Sequence, residues 1–473
     1  MRTVLTAILV AALAAITAFS VAVPDYYYTR SGRFEPLPVL TAVLWAVFAL
    51  AFLALRGVRG RAVTVLVLAG SIVVGGAAMA GPPNTSTDSA RYAWDGIVQN
   101  AGISPYEHTP ADSELSGLRT DWLFPPAVDG GTDCTGERIM TTRDSETGEI
   151  LCTAINRPTV NTIYPPASEL YFAAARLFTG PDPQYWPLQL AGLLISVGVT
   201  ALLLRALTSR GRDPRWAALW GWCPLIATEG VTNSHVDLLA ALLLFVASLL
   251  VSSRRPWLGG IALGVSISTK LIPVIGSFAL LRRNPVKVIV GAVAAFALLY
   301  VPYVLASGIG VLGYLPGYLS EEGYVSGDRF VLVSLIAPGP AALVVAAVLV
   351  AVVAALVWAR TDPDDPWLGQ LIMIGTTLLI VSPRYPWYAL LLVPMIAMTC
   401  RWEWMTVPLA LTARLLFPSV EVSRVAIAVA VLVIVVVSLR RAGPGAFGRW
   451  ARAARHPFRP APGRLTPEKV TER

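Results

Sequence analysis

Charge is scarce in this chain. Asp, Glu, Lys and Arg make up 14% of 473 residues against 55% hydrophobic, and mean hydropathy is +0.63. So little polar surface could not cover a water-soluble globule, and that class is excluded. Histidines number three and cysteines four, with neither an HExxH element nor a Cys/His quartet, so no zinc-ligand set is present. No Gly-rich phosphate loop stands between a strand and a helix, which removes the usual nucleotide site. The net charge of +8 collects at the ends of apolar runs rather than in a basic domain or binding motif, which excludes nucleic acid as a partner.

What is present is lipid-compatible sequence. Uncharged runs such as Val4–Val23, Leu37–Leu55 and Val63–Ala80 have the length needed to cross about 30 Å of hydrocarbon. Backbone hydrogen bonding makes them helices. The expected fold is an all-α polytopic bundle of about twelve crossings: 4–23, 37–55, 63–80, 187–206, 216–231, 236–252, 286–306, 338–359, 367–381, 386–400, 404–417 and 424–439. Residues 257–281 lie between Arg254–Arg255 and Arg282–Arg283, and a single crossing there would strand the second arginine pair on the wrong side. That segment is expected to be a hairpin broken near Lys270 and Pro273. The excess of Lys and Arg, including nine after Leu439, places both termini in the cytoplasm of a plasma or inner membrane. Residues 1–23 are longer than a usual signal peptide core and lack a small-x-small cleavage site, so an uncleaved first span is expected.

Four regions follow: transmembrane helices in 1–80, a long extracytoplasmic loop in 81–186, a helical bundle in 187–439, and a basic tail in 440–473, expected to be disordered near anionic headgroups. A connection as long as 81–186 is functional or disordered, and its apolar patch 167–178 would lie on or dip into the membrane. Cys134 and Cys152 fall within it, where an oxidising compartment permits either a disulfide or two free thiols. Cys223 and Cys400 read as packing residues.

Chemistry-bearing residues cluster on the loop side. Asp88, Tyr92 and Asp95 are spaced four and three apart, so two carboxylates and a phenol share a helix face at the outer membrane surface. A carboxylate at an apolar boundary can serve as a general base, with Asp88 the first candidate and Asp95 the second. Glu229, Asn233, His235 and Asp237 mark the edge of a long apolar helix, suited to lining a sugar or phosphate site, to capping, or less well to a metal. Lys270 sits mid-way along an uncharged stretch and either snorkels or faces a polar cavity. Arg384 stands among aromatics, including Trp387, where a guanidinium can hold a phosphate. Tyr314, Tyr318, Glu321, Glu322, Tyr324, Asp328 and Arg329 in 307–329 could face an acceptor glycan.

These motifs carry a resemblance. Asp88-x3-Tyr92 followed by Gly102-x2-Pro105-Tyr106 resembles the first outer loop of GT-C superfamily glycosyltransferases, nearest the family 87 type. Arg91-Tyr92-x-Trp94-Asp95, Ile155-Asn156-Arg157-Pro158 and Thr162-Ile163-Tyr164-Pro165-Pro166 are similar to a bacterial subgroup, as are Asn233-x-His235-x-Asp237 and Ser382-Pro-x2-Pro-Trp387-Tyr. The resemblance covers roughly 63–400; Ser104 departs from a commoner Asn, and the first two spans look like an addition. It implies a glycosyltransferase that moves a sugar, mannose favoured, from a polyprenyl-phosphate donor to a glycolipid or polysaccharide of the envelope, with inversion. By motif position it implies Asp88 as base, with Arg91, Tyr92, Tyr106, Arg157 and Tyr164 around the substrate. No cofactor is required, although a divalent cation could be accommodated. A lipid-linked sugar flippase is the rival class.

Overall fold

The computed structural model describes residues 1–22, 36–128, 133–136, 138–324, 326–327 and 329–443. Most of the expected tail, residues 444–473, lies outside them, as do Val23 and Asp328. Helices α1 (Arg2–Ala22), α2 (Pro36–Leu55) and α3 (Arg61–Ala77) pack together at the start of the chain. The loop then contributes α4 (Asp88–Asn100), an antiparallel hairpin of β1 (Met140–Arg143) and β2 (Ile150–Thr153), and α5 (Pro166–Arg176). The bundle proper begins with α6 (Trp186–Ser209) and the short α7 (Ala218–Gly221). A π-helical turn, Ile226–Thr232, leads to α8 (Asp237–Ser252), with α9 (Pro256–Thr269) and α10 (Pro285–Ser307) behind it. α11 (Leu315–Glu321) is a short outer helix, and α12 (Ala341–Arg360), α13 (Trp367–Val381), α14 (Val393–Thr399), α15 (Thr406–Leu416) and α16 (Val420–Ala442) complete the chain.

Among the described residues six stretches are long and apolar enough to cross a membrane: α1, α2, α6, the run beginning with α10, α12 and α16. The count is seven if the bent pair of π turn and α8 is one span. Other expected crossings take shorter or broken forms. α3, α13 and Pro386–Thr399 are apolar helices of 10–17 residues. Residues expected to span from 216 to 231 divide into α7 and the π turn.

The hairpin expected at 257–281 has its break where the sequence placed it. α9 ends at Thr269, Lys270 is extended at φ −155° and ψ 140°, and a 3-10 helix runs Ile272–Leu280. Both of its ends meet one acid: Arg283 donates to Asp364 at 2.6 Å, and Arg254 lies 3.9 Å from the same carboxylate. Its two arms therefore start and finish on one face. The arginines of other helix ends are held by neighbouring turns, Arg212 by Asp365 and Arg441 by Glu403. At the opposite ends of these helices stand the loop, α11 and the turn Ser382–Tyr388.

The loop is tightly folded. Cys134 and Cys152 are joined in a disulfide. Asp144 turns the hairpin by accepting from the backbone of Glu146 and Thr147, and also takes the Ser113 hydroxyl and Arg119. These donors hold its carboxyl well below the usual range. α5 buries Phe172 and Ala173 while Leu170, Leu177 and Phe178 are exposed. Gly96 allows α4 and α5 to touch, because a Cβ there would lie 2.6 Å from the Phe172 carbonyl oxygen.

Candidate active site

α4 begins where the backbone N–H of Asp88 donates to Ser86 Oγ at 3.1 Å, and ends before Gly102 at φ +82°. Asp88 thus occupies the first turn, where the helix dipole favours a negative charge. The segment before it is pinned from several sides. Asn233 Oδ1 accepts from the backbone N–H of Asn84 and Thr85 at 3.0 and 3.1 Å, and Arg138 donates to the carbonyls of Pro83, Asn84 and Ser86. Asn233 is therefore an anchor for the segment that leads into Asp88 rather than an open lining residue.

Asp88 keeps 21% of its side-chain exposure. Asn156 Nδ2 donates to its Oδ1 at 2.8 Å, and His235 Nδ1 lies 3.8 Å from its Oδ2. Burial raises its pKa above the usual carboxylate value, opposed chiefly by the positive charge of Lys270, then by Asn156 and Arg157. A carboxylate shifted upward yet reachable meets the requirement for a base.

Asp95, the second candidate, does not join it. Its side chain is 2% exposed, and Arg91 Nε contacts both of its oxygens at 2.8 and 3.1 Å. Beside it Glu169 accepts from Thr162 at 2.8 Å, and burial raises both carboxyls, each also bearing on the other or on Arg91. Arg91 further binds the Val160 carbonyl at 3.0 Å. This cluster fixes the strand of loop that carries Tyr164. Tyr92 is likewise enclosed: it stacks on Phe172 at 4.4 Å, meets Tyr164 edge-on, and its hydroxyl reaches His235 Nδ1 at 3.3 Å. The helical face shared by Asp88, Tyr92 and Asp95 is thus mostly core, because α5 and the 160–164 segment cover it. Tyr106 also locks the loop, donating to the Tyr164 carbonyl at 2.5 Å and packing on Tyr303.

The second half of the site comes from the break between the π turn and α8. Ser234 takes φ +53°, and the two helical pieces meet at 110°. Backbone exposed by such a break is tolerated where protein encloses it. The bend turns His235 towards Asp88 and leaves Asp237 at the head of α8. His235 is stacked flat on Trp387 at 3.8 Å, and Trp387 on Tyr385 at 4.4 Å. Glu229 Oε2 lies 3.4 Å from His235 Nε2 and accepts from the Thr85 hydroxyl at 3.2 Å. Asp237 pairs with Lys270 at 2.5 Å, and the ammonium lies 4.7 Å from the Tyr388 ring centroid. Lys270 therefore faces a polar site, as the break at Pro273 suggested.

The outer rim carries three more features. Arg157, at φ +50°, binds Glu321 of α11 at 2.7 Å and lies over Tyr318, whose hydroxyl meets that of Tyr388 at 2.8 Å. Arg329 is buried against Glu322 and stacked over Tyr324 at 4.3 Å. Arg384 is exposed, with no ion pair among the described residues. Asn156, Thr85 and Tyr385 carry no separate signal in the sequence, and Tyr388 reads there as an aromatic-belt residue beside Trp387. Asn156 lies within a quoted motif, but its contact with Asp88 spans 68 positions and has no local signature. The one His/Asp/Glu trio close enough to share a cation among the described residues is His108, Asp112 and Glu114, a half-exposed group elsewhere in the loop.

Residues 162–383 match the family model described as Glycosyltransferase family 87. The match is consistent with a GT-C superfamily enzyme of that type and supports a glycosyltransferase, which needs a sugar donor and an acceptor. No curated protein and no solved structure matches the chain.

Proposed function

We propose that this membrane glycosyltransferase transfers a sugar, mannose favoured, from a polyprenyl-phosphate donor to a glycolipid or polysaccharide acceptor of the envelope. Transfer takes place on the extracytoplasmic face of the plasma membrane, with both termini in the cytoplasm. The observation that carries this reading is the reachable carboxylate of Asp88, set among Asn156, His235 and the Asp237–Lys270 pair on the loop side of an apolar bundle.

A donor tail lies in the bilayer, and its anomeric carbon stands at the level of the loop. Asp88 takes the proton of an acceptor hydroxyl while that oxygen attacks the anomeric carbon, and the lipid phosphate leaves with the bonding electrons. Displacement from the far side inverts the configuration. Lys270 is already paired, so it tunes the field of the site; Arg384, exposed at the rim, holds the departing phosphate through two N–H groups. The aromatic stack of Tyr385, Trp387 and His235 supplies a flat wall. Grouping of these polar residues at one end suits a transferase better than a flippase, which must open to both sides.

The test uses purified protein and a polyprenyl-phosphate sugar. Asp88→Asn should lower turnover by about 100-fold or more, the scale of lost general-base catalysis. Wild-type turnover in that variant would remove Asp88 from the reaction.

A further inference from the structure

We propose that Glu229 is a positioning residue of the transfer step, acting on Asp88 through the imidazole of His235; the inference rests on Asp88 being the base. The three side chains form a line. His235 Nδ1 faces Asp88 Oδ2 at 3.8 Å and the Tyr92 hydroxyl at 3.3 Å, and Nε2 faces Glu229 Oε2 at 3.4 Å. Stacking on Trp387 at an interplanar angle of 22° holds the plane of the ring in the line between these groups. The His235 side chain has no exposed surface, and among the described residues Nε2 makes no hydrogen bond, Glu229 Oε2 at 3.4 Å being the charged oxygen beside it.

Glu229 is the acceptor available to the Nε2 proton. With that proton held there, the Nδ1 lone pair accepts from the Tyr92 hydroxyl at 3.3 Å, and Asp88 Oδ2 lies next to it at 3.8 Å. Glu229 is itself fixed by the Thr85 hydroxyl at 3.0 and 3.2 Å and by the Asn233 amide at 3.4 Å. The other charged or titratable groups around the ring and its contacts are Asp88 and Tyr92 from α4, Arg138 ahead of β1, Arg157 after β2, Tyr164 ahead of α5, Asp237 at the head of α8, and Lys270 after α9. Glu229 is the acid on the Nε2 side, and it acts in its ionised form.

In the reaction the acceptor O–H bond breaks and its proton passes to Asp88. The new bond to the anomeric carbon forms as the bond to phosphate oxygen breaks, with the electron pair leaving on the phosphate. Protonated Asp88 then faces a nitrogen lone pair, and positive charge shared onto the ring is met by the Glu229 carboxylate. As products separate the proton returns through Asp88 to water, and Glu229 ends the cycle in the protonation state in which it began. This arrangement raises the proton affinity of Asp88 in the transition state, the role of an orienting acid behind an imidazole.

Glu229→Gln tests it, because glutamine keeps an oxygen for the Thr85 hydroxyl and removes the charge. With full-length protein and a polyprenyl-phosphate sugar, kcat should fall by about tenfold or more while donor KM holds. The acid limb of the kcat/KM profile, set by Asp88, should move to lower pH, and adding His235→Gln should cost little further activity. A limb that stays in place, or losses that multiply in the double variant, would mean that Glu229 only braces the loop and would overturn the proposal. If Glu229→Gln does not fold, His235→Gln alone must show the same limb shift, and an unmoved limb there is equally decisive. Active Asp88→Asn would defeat the base assignment itself, whereas inactive Asp88→Asn with an unshifted Glu229→Gln would defeat only the role of Glu229.

Discussion

At the scale of single residues, the base role proposed for Asp88 would come at a cost in stability. Burial raises its pKa, so the folded protein disfavours the ionised form more than the unfolded chain does. Such a group contributes stability below its unfolded pKa of about 4, and that contribution is lost as pH rises through the folded value. Asp88→Asn should therefore melt at a higher temperature than the wild type at pH 7.5, with the gap closing as pH falls towards 4; thermal melts in one detergent across that range decide it. The placing of Asp88 at the head of a helix on the loop side was legible from its spacing to Tyr92 and Asp95. The fate of Asp95 was not, although Arg91 four positions earlier offered an ion-pair partner, because an i,i+4 pair reads alike on a solvated face and in a core. Only the packing of α5 and residues 160–164 over α4 decides between them.

At the scale of elements, glycine spacing explains how Lys270 is delivered. A Cβ at Gly260 would lie 2.4 Å from the Val288 carbonyl oxygen, and one at Gly264 2.2 Å from that of Ala292. α9 and α10 therefore meet backbone to backbone, the close approach that small residues permit inside membranes. Gly264→Val should force the pair apart at a cost of about 1–3 kcal/mol, lowering the melting temperature and loosening the Lys270–Asp237 contact. A variant that melts like the wild type would show that the helices tolerate the side chain. The break in this hairpin could be read from Pro273 and the flanking arginines. The π turn could not, since its cause is a long-range fit: Asn233 must serve the 84–85 backbone, and Ser234 adopts a positive φ to let it.

At the scale of the whole molecule, the two ends of the bundle differ in kind. One gathers arginine–aspartate pairs such as Arg283–Asp364 and Arg212–Asp365, and the other carries the disulfide-bonded loop and the Asp88 site. In a background lacking native free cysteines, a cysteine at exposed Arg384 should react with an impermeant thiol reagent on intact cells. One at Asp364 should react only after permeabilisation. The reverse pattern would turn the molecule over in the membrane and place Asp88 in the cytosol. Hydropathy and arginine placement carried this architecture in the sequence, whereas the number of true crossings did not follow from it, because several apolar segments are short, bent or wound as 3-10 turns.

The site is assembled from five stretches far apart along the chain: residues 84–95, 156–164, 229–237, Lys270 and 384–388. The span that matches the family model stops short of this set at both ends, leaving out Asp88, Asn156 and Trp387. Excised by itself, that middle portion would keep the imidazole and lose the carboxylate beside it, a lock without its bolt. Recombination that exchanges only this middle portion with that of a distant relative should therefore yield inert hybrids unless the partners of His235 on both outer portions are matched.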